Sequence, residues 1–184
     1  LNAGAEVFAL EYDGQMVRHL EADLVPRSNY RLHLLEGDAL EHPKCGLQDD
    51  QPFKIVANLP YAITTPWLEK VLWEPLPERM VLLMQKEAAQ RILAEPATKS
   101  FGPISIFLQA AYSLADRHRV SPNCFYPLPD VDSVLVRLDR KPEPFLFSVR
   151  QRKVVRQIFT KRRKQLKPQC LELGLGPWIE TVVA

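Results

Sequence analysis

Four short apolar runs of strand length alternate with segments of helical spacing in the first half of the chain. The runs lie at residues 6–12, 31–35, 53–57 and 79–84. This alternation is typical of α/β layering around a largely parallel sheet. In open sheets of this kind, ligands bind outside the carboxyl ends of the strands.

Capping residues and proline predict where the intervening helices begin. Asp13 is a good N-cap for the helix that follows the first strand. Thr65 as N-cap and Pro66 at the first helical position predict the start of a second helix. A third helix is expected over residues 86–94, and the polar residues 41–52 predict a loop.

The second half of the chain has a different pattern. Residues 104–112 predict an apolar helix, and residues 131–139 alternate as an antiparallel strand added at a sheet edge does. The Lys-Pro-Glu-Pro sequence at 141–144 is the best linker candidate. We therefore expect one domain over residues 1–141 and a small, basic helical module over residues 142–184.

The composition is that of a globular protein, with 46% hydrophobic and 25% charged residues. No apolar run approaches the ~18–20 residues that span a bilayer, so we expect no membrane protein. Three scattered cysteines without a Cys-x-x-Cys pair argue against a disulfide scaffold or a zinc ribbon and favour a reducing cytoplasm. The chain begins at Leu1 without a signal peptide, and we expect it to be part of a longer protein.

Positive charge is concentrated in one segment near the C-terminus. The net charge is +2, yet residues 137–167 carry +10 and the remainder carries −8. A segment this basic beside an acidic body suggests contact with a polyanion. The alternative for such a run is a solvated helix face.

Polar residues follow the ends of four predicted strands: Glu11, Asp38, Asn58 and Gln85. One polar residue after a strand is usually a turn former. Four of them at successive strands form a candidate site, because the carboxyl ends of parallel strands meet at one edge of a sheet.

The tetrapeptide Asn58-Leu59-Pro60-Tyr61 suits methylation of the exocyclic amine of a nucleobase. This amine is a poor nucleophile because its lone pair is delocalised into the ring. The Asn58 side-chain oxygen and the Leu59 carbonyl can accept hydrogen bonds from the amine and hold it in line with a methyl donor. Pro60 stiffens the turn, and Tyr61 offers a ring on which an extruded base can stack. A sulfonium donor is itself activated, so neither a metal nor a strong general base is needed.

These residues resemble the ribosomal RNA adenine N6-dimethyltransferases of the KsgA type, a branch of the Rossmann-like S-adenosylmethionine-dependent methyltransferases. The resemblance covers almost the whole chain, and its motifs occur in the family's order. They are Leu-Glu-Tyr-Asp around Glu11, Gly37-Asp38-Ala39-Leu40, Asn58 to Tyr61, Met84 to Ala88, Phe125 to Ser133, and Phe159 to Leu166. The resemblance implies an α/β fold: a Rossmann-like methyltransferase sheet with a small C-terminal helical domain.

The resemblance also implies how the cofactor S-adenosylmethionine is held. Glu11 is implied to bind the two ribose hydroxyls of the cofactor. Asp38 is implied to accept from its adenine amine, and the Ala39 backbone to lie beside that ring. Asn58 is implied to contact both the cofactor and the target base. In this sequence no Gly-x-Gly element lies near the start, so we expect the family's glycine-rich loop to precede Leu1.

On the substrate side, the resemblance implies that Asn58, Leu59, Pro60 and Tyr61 are catalytic and that Phe125 sandwiches the target adenine against Tyr61. The basic residues Arg162, Arg163 and Lys164 are implied to contact RNA phosphates, which position a substrate without reading its sequence. The sequence departs from the family pattern twice: Ala62 stands where Asn is usual, and Asp130 where Lys is usual.

The leading expectation is a monomeric enzyme that dimethylates N6 of adjacent adenosines near the 3′ end of small-subunit rRNA, within a pre-30S-type particle. One alternative is a large-subunit rRNA adenine methyltransferase of the erythromycin-resistance type. Leu59, the loop at 125–133 and the helix with Arg162 to Lys164 favour the small-subunit branch. A second alternative is a non-catalytic RNA-binding or ribosome-assembly factor, against which the intact tetrapeptide argues.

Overall fold

The structure is a computed structural model that describes residues 4–29, 31–47 and 51–175. Its strands are β1 (Val7–Glu11), β2 (Leu32–Glu36), β3 (Lys54–Asn58), β4 (Arg79–Gln85), β5 (Tyr112–Val120) and β6 (Ser133–Arg140). Its α-helices are α1 (Gly14–Arg27), α2 (Tyr61–Val71), α3 (Lys86–Ile92), α4 (Pro103–Ala111), α5 (Val149–Thr160) and α6 (Leu166–Glu172). The predicted α/β organisation is present.

The described strands form two sheets. β1 and β2 pair in parallel, and the second sheet has the order β3-β4-β6-β5. In that sheet β3 and β4 are parallel, whereas β6 is antiparallel to both β4 and β5. The larger sheet is therefore mixed and not largely parallel.

The antiparallel orientation predicted for residues 131–139 is confirmed, but the prediction of an edge position is wrong. β6 lies inside the sheet, and β5 forms the edge. Val136 and Leu138 are buried, while Arg137 and Asp139 alternate with them on the opposite, more open face. Alternation of apolar and polar residues indicates only that one face of a strand is buried. An interior strand with one open face shows the same alternation as an edge strand.

The hydrophobic core lies between one face of the larger sheet and the helices α2, α3 and α4. Met80, Leu82 and Met84 point into it from β4, in the period of two that a strand imposes. Leu68 of α2 and Phe107 of α4 are fully buried against them. The opposite face of the same sheet is open in the described part of the chain.

The first helix begins as predicted, and the second does not. The Asp13 carboxylate caps α1 by accepting hydrogen bonds from the amides of the first turn. α2 begins at Tyr61, five residues before the first helical position predicted at Pro66. The turn at Pro60 sets this start, because its carbonyl accepts from the Ile63 amide and from the buried Thr64 hydroxyl. Pro66 is accommodated inside the helix.

The loop after β2 connects the smaller sheet with the core of the larger one. Ala39 and Leu40 pack against the core cluster. The Lys44 ammonium donates to the carbonyls of Trp73 (2.9 Å) and Pro75 (2.7 Å), beyond the end of α2. Residues 41–47 are turns, in line with the predicted loop, and residues 48–50 of that prediction lie outside the described residues.

The segment predicted as a linker runs along α4 before α5 begins. The Lys141 amide donates to the Ala111 carbonyl (2.9 Å), and its ammonium to the Gln109 carbonyl (2.6 Å). The Phe145 amide donates to the Ala110 carbonyl (3.1 Å). The basic amphipathic helix predicted beyond the linker is confirmed as α5, which Ser148 and Gln151 open with a capping box.

Candidate active site

The tetrapeptide at 58–61 lies where β3 gives way to α2. The Leu59 side chain is buried in the core, and its amide donates to the Leu83 carbonyl of β4 (3.2 Å). Asn58 is exposed, and its side-chain amide has no hydrogen-bond partner within the described part of the chain. Leu59 thus anchors the turn while the Asn58 oxygen stays available. The Tyr61 ring lies outside what the structure describes.

A cavity of about 350 Å³ brings the tetrapeptide together with the distant loop at 125–133. Its walls are formed by Asn58, Leu59, Pro60, Leu83, Met84, Gln85, Phe125, Tyr126, Pro127, Pro129, Val131 and Ser133. Asn58 and Phe125 therefore face one space although they are 67 positions apart in the sequence. Gln85, the polar residue at the end of β4, lies in the same wall.

The loop at 125–133 is held at both of its ends. At its start, the Phe125 amide donates to the Pro122 carbonyl (3.1 Å). At its other end, the Asp132 carbonyl accepts from the Lys86 amide (2.9 Å). The Asp132 carboxylate contacts Arg119 (2.9 Å) and Lys86 (3.5 Å), and these hydrogen bonds, that from Arg119 foremost, lower the pKa of Asp132.

Glu11 ends β1, and Asp38 lies two residues beyond the end of β2. Glu11 accepts hydrogen bonds on one oxygen from the amides of Tyr12 (2.8 Å) and Asp13 (2.9 Å). Asp38 accepts from the Leu40 amide (2.7 Å). The Gly37 amide donates to the Glu11 carbonyl (3.0 Å), so the two strand ends are joined directly.

These carboxylates fit the adenosine part of a nucleotide-like cofactor. Carboxylate oxygens accept several hydrogen bonds, and ribose hydroxyls and an adenine amine are donors. Ala39, next to Asp38, is half-buried against the core and offers its backbone at the same strand end. None of Glu11, Asp38 and Ala39 lines the cavity that contains Asn58.

The three basic residues expected to contact RNA lie in the turn between α5 and α6 and not in a helix as predicted, and their surroundings differ. The Arg162 guanidinium donates to the carbonyls of Lys99 (3.0 Å), Phe101 (2.7 Å) and Thr98 (3.4 Å), in the loop before α4. It therefore docks the helical module onto the main body. Arg163 and Lys164 are exposed, and neither side chain hydrogen-bonds within the described residues.

Sequence reasoning missed Arg152, which it counted only as part of the basic segment. The structure buries this side chain to 3% exposure, with the guanidinium 3.9 Å from the centre of the Trp73 ring. It donates to the carbonyls of Phe147, Glu69 and Leu72, the last two at the C-terminal end of α2. Burial lowers the pKa of the Arg152 guanidinium. The available signal was its spacing, three residues before Val155 and seven before Phe159 on the apolar face of α5.

No group of three His, Cys, Asp or Glu side chains in the described residues could hold a metal ion. The cysteines are free thiols, and burial raises the pKa of the Cys45 thiol. No helix in the described ranges is both long and apolar enough to cross a bilayer.

Comparison with known proteins identifies the family. Residues 2–176 match the family model for ribosomal RNA adenine dimethylase. Over 168 residues the chain is 55% identical to Ribosomal RNA small subunit methyltransferase A of Opitutus terrae, and over 172 residues 38% identical to the protein of that name in Clostridium botulinum. Each alignment covers 90% of this chain but only 61% and 62% of the two relatives. The chain thus spans about three fifths of the length of these curated relatives.

Solved structures agree with the fold. A dimethyladenosine transferase from Plasmodium falciparum superposes with a TM-score of 0.74 at 26% identity, covering 94% of this chain and 62% of that one. The 23S rRNA methyltransferase ErmE gives 0.63 at 22% identity, covering 89% and 65%, and shows the fold alone. Since the family model matches nearly the whole sequence, this chain belongs to the ribosomal RNA adenine dimethylase family.

Proposed function

We propose that this chain serves the S-adenosylmethionine-dependent N6-dimethylation of adjacent adenosines near the 3′ end of small-subunit rRNA. The observation that carries the proposal is the cavity that unites Asn58, Leu59 and Pro60 with Phe125. It places hydrogen-bond acceptors and an aromatic ring around one space that is open to solvent. An adenine base extruded from single-stranded RNA needs this combination.

Asn58 and Leu59 orient the amine of the target base. The Asn58 side-chain oxygen and the Leu59 carbonyl accept hydrogen bonds from the amine N–H groups, which draws the nitrogen towards tetrahedral geometry and localises its lone pair for attack on the methyl donor. The buried Leu59 side chain and the hydrogen bond from its amide to Leu83 fix these acceptors before the base arrives. When bound, S-adenosylmethionine supplies the activated methyl group. Phe125 stacks on one face of the base, and we assign the other face to Tyr61.

Glu11, Asp38 and Ala39 form the proposed site for the adenosine end of the cofactor, and we assign to Asn58 a contact with both the cofactor and the target base. This assignment is supported by the hydrogen-bond acceptors that the two carboxylates offer near strand ends joined by the Gly37–Glu11 hydrogen bond.

We further propose that Arg163 and Lys164 contact RNA phosphates on a pre-30S-type particle, with Arg162 holding in place the turn that carries them. We also propose that the protein acts as a monomer in the cytoplasm.

The names of the relatives support the small-subunit branch over a large-subunit methyltransferase of the erythromycin-resistance type. The intact tetrapeptide supports an enzyme over a non-catalytic assembly factor. Both alternatives are separate outcomes of the experiment below.

The test measures methyl transfer to small-subunit rRNA transcribed in vitro, which carries no methyl groups. Because the chain spans three fifths of its relatives, it is compared with a chimera flanked by the unmatched segments of the Opitutus terrae protein. We expect the chimera to form N6,N6-dimethyladenosine, detected by mass spectrometry. Asn58→Ala in the chimera lowers the rate by roughly 10²–10³-fold, as loss of one preorganised hydrogen-bonding group does.

Asn123→Ala is the matched control, since Asn123 is exposed and lies outside the cavity. It leaves the rate unchanged. Binding of RNA without transfer by the chimera would establish the non-catalytic factor. Transfer to large-subunit rRNA in preference would establish the second enzyme class.

A further inference from the structure

We infer that Tyr126 forms a second stacking surface beside the candidate site, for an unpaired base that neighbours the target nucleotide. The inference rests on the proposed function, since it takes RNA to be the occupant of the cavity. Tyr126 lines the cavity together with Phe125, yet its own exposure is 101%, the highest among the exposed large hydrophobic residues of the described chain. Its ring is therefore presented to solvent at the mouth of the site.

The backbone at Phe125 places the two consecutive aromatic residues on opposite sides of the loop. Phe125 has extended dihedral angles, with φ −123° and ψ 150°. Successive side chains of an extended chain point to opposite sides. The half-buried Phe125 thus faces the body of the protein while Tyr126 faces outward. One loop can in this way hold one base inside the cavity and another base on its outer surface.

Hydrogen bonds at both ends fix the backbone of the loop that carries Tyr126. Its start is held by the hydrogen bond from the Phe125 amide to Pro122, and its end by the hydrogen bond from the Lys86 amide to Asp132. Pro127 follows Tyr126 directly, and its ring restricts the backbone there. A preorganised aromatic surface loses little conformational entropy on binding.

Cations near the same loop complement a nucleic acid backbone. Arg119 and Lys86 share the single carboxylate of Asp132, at 2.9 and 3.5 Å. Arg117 lies two residues before Arg119 on the same face of the edge strand β5, since the two pair with Val136 and Val134 of β6. Arg117 and Arg119 thus place two exposed guanidinium groups on one face of the strand that precedes the loop, and such groups suit phosphates.

The apolar part of this surface is too small for a protein partner. Besides Tyr126, the loop exposes the apolar side chains of Pro127 and Leu128. A stable protein interface buries about 800 Å² on each partner. A single base, in contrast, is covered by one aromatic face, and such stacking does not require a particular base. The chemistry therefore points to an unpaired nucleotide.

The test is a binding measurement with the full 184-residue chain and a short single-stranded RNA that contains two adjacent adenosines. Two further oligonucleotides each carry an abasic residue on one side of the adenosine pair. We expect Tyr126→Ala to weaken binding of the intact RNA by about tenfold, within the range for loss of one base-stacking ring. Tyr126→Phe retains wild-type affinity, because stacking needs the ring and not the hydroxyl. Tyr12→Ala, which removes another exposed tyrosine outside the cavity, has no effect.

The abasic oligonucleotides identify the stacking partner. Wild type is expected to bind one of the two abasic RNAs about as weakly as Tyr126→Ala binds the intact RNA. Tyr126→Ala is expected to bind that abasic RNA no more weakly than it binds the intact RNA, because the stacking contact is already lost. The inference is overturned if Tyr126→Ala binds intact RNA within twofold of wild type. It is also overturned if the loss of affinity caused by Tyr126→Ala adds in full to the loss caused by the abasic residue in both abasic RNAs. If Phe125→Ala weakens binding while Tyr126→Ala does not, only the second surface fails. If the wild-type chain does not bind the RNA at low salt, the RNA-binding part of the proposed function fails with it.

Discussion

At the scale of single residues, Arg152 connects the helical module to the helix that begins at the tetrapeptide. Its guanidinium donates to the Glu69 and Leu72 carbonyls at the C-terminal end of α2, whereas Asn58 to Pro60 precede the other end of that helix. A helix end leaves carbonyls without intrahelical partners, and a buried end needs donors from elsewhere. Arg152 supplies these donors and covers the Trp73 ring as well.

Arg152→Ala is expected to destabilise the chain by about 2–4 kcal/mol, because buried carbonyls lose a charged donor. Urea unfolding followed by circular dichroism measures the change. Arg150→Ala, which removes an exposed arginine from the same helix, is expected to stay within about 0.5 kcal/mol of wild type. Equal effects of the two substitutions would contradict the role assigned to Arg152.

A second residue-scale feature is the carboxylate of Asp139, which both Arg137 and Arg79 contact. Hydrogen bonds from Arg137 and then Arg79, at 2.7 and 2.6 Å, hold the pKa of Asp139 far below its usual range. A carboxyl group with a lowered pKa in the folded state contributes stability above its unfolded pKa of about 3.9. That contribution is lost as the pH falls from there towards the folded pKa.

We therefore expect Asp139→Asn to flatten the acid limb of the stability profile. Urea unfolding between pH 6 and pH 2 compares the loss of stability in wild type and variant, and the variant loses less. Asp130→Asn, a substitution at an exposed carboxylate without an ion pair in the described chain, follows the wild-type curve. Parallel curves for wild type and Asp139→Asn would refute the assignment.

At the scale of elements, β4 organises the larger sheet. It pairs in parallel with β3 and antiparallel with β6, so it supports both sides of the cavity. Its face towards the helices is fully buried at Met80 and Leu82, whereas the opposite face of the neighbouring β3 leaves Val56 82% exposed. The sheet therefore gains its hydrophobic stabilisation from one face, within the described part of the chain.

Leu82→Ala and Val56→Ala form a matched pair of apolar truncations on adjacent strands. Leu82→Ala is expected to cost about 2–5 kcal/mol, because it leaves a cavity in a close-packed core. Val56→Ala is expected to cost less than about 0.5 kcal/mol, since its side chain remains in water when the chain folds. Denaturant unfolding of the 184-residue chain measures the loss of unfolding free energy for each variant. Similar losses for the two variants would contradict the assignment of Leu82 to the core and of Val56 to the open face.

Local signals predicted most elements and misplaced those that depend on distant partners. The helix after Asp13 and the strand at 79–84 follow from capping and from an apolar run, and both are present. The start of α2 was misplaced because the turn at Pro60, fixed through Leu59 and β4, overrides the local preference at Thr65. The interior position of β6 likewise depends on β5, whose exposed residues give no signal of pairing.

At the scale of the whole molecule, internal contacts reduce the positive charge that the C-terminal segment can offer to RNA. Arg137 contacts Asp139, Arg156 contacts Glu69, and Lys161 contacts Glu172. Arg152 and Arg162 donate to backbone carbonyls of the main body. The basic segment thus fastens α5 and the turn after it to α2 and to the loop before α4, and only part of its charge is directed outward.

Arg163→Ala tests this outward charge through the salt dependence of RNA binding. Removing one phosphate contact is expected to reduce the slope of log K against log salt concentration by about 1. Arg18→Ala, at an exposed arginine of α1, leaves the slope unchanged. Arg162→Ala is expected to lower stability to unfolding, because three carbonyl contacts are lost. If Arg163→Ala leaves the slope unchanged, Arg163 does not contact an RNA phosphate.

The sequence by itself determined the α/β class through its local apolar patterns, and the family and the residues of the candidate chemistry through short motifs such as Asn58 to Tyr61. Only the tertiary structure decided that Asn58 and Phe125 share a cavity, that Arg152 is buried and that β6 lies inside the sheet. The physical reason is the range of the interactions. Capping and periodicity act over a few residues, whereas the hydrogen bond from Arg152 to Glu69 joins residues 83 positions apart. Contacts of that kind form only when the whole chain folds.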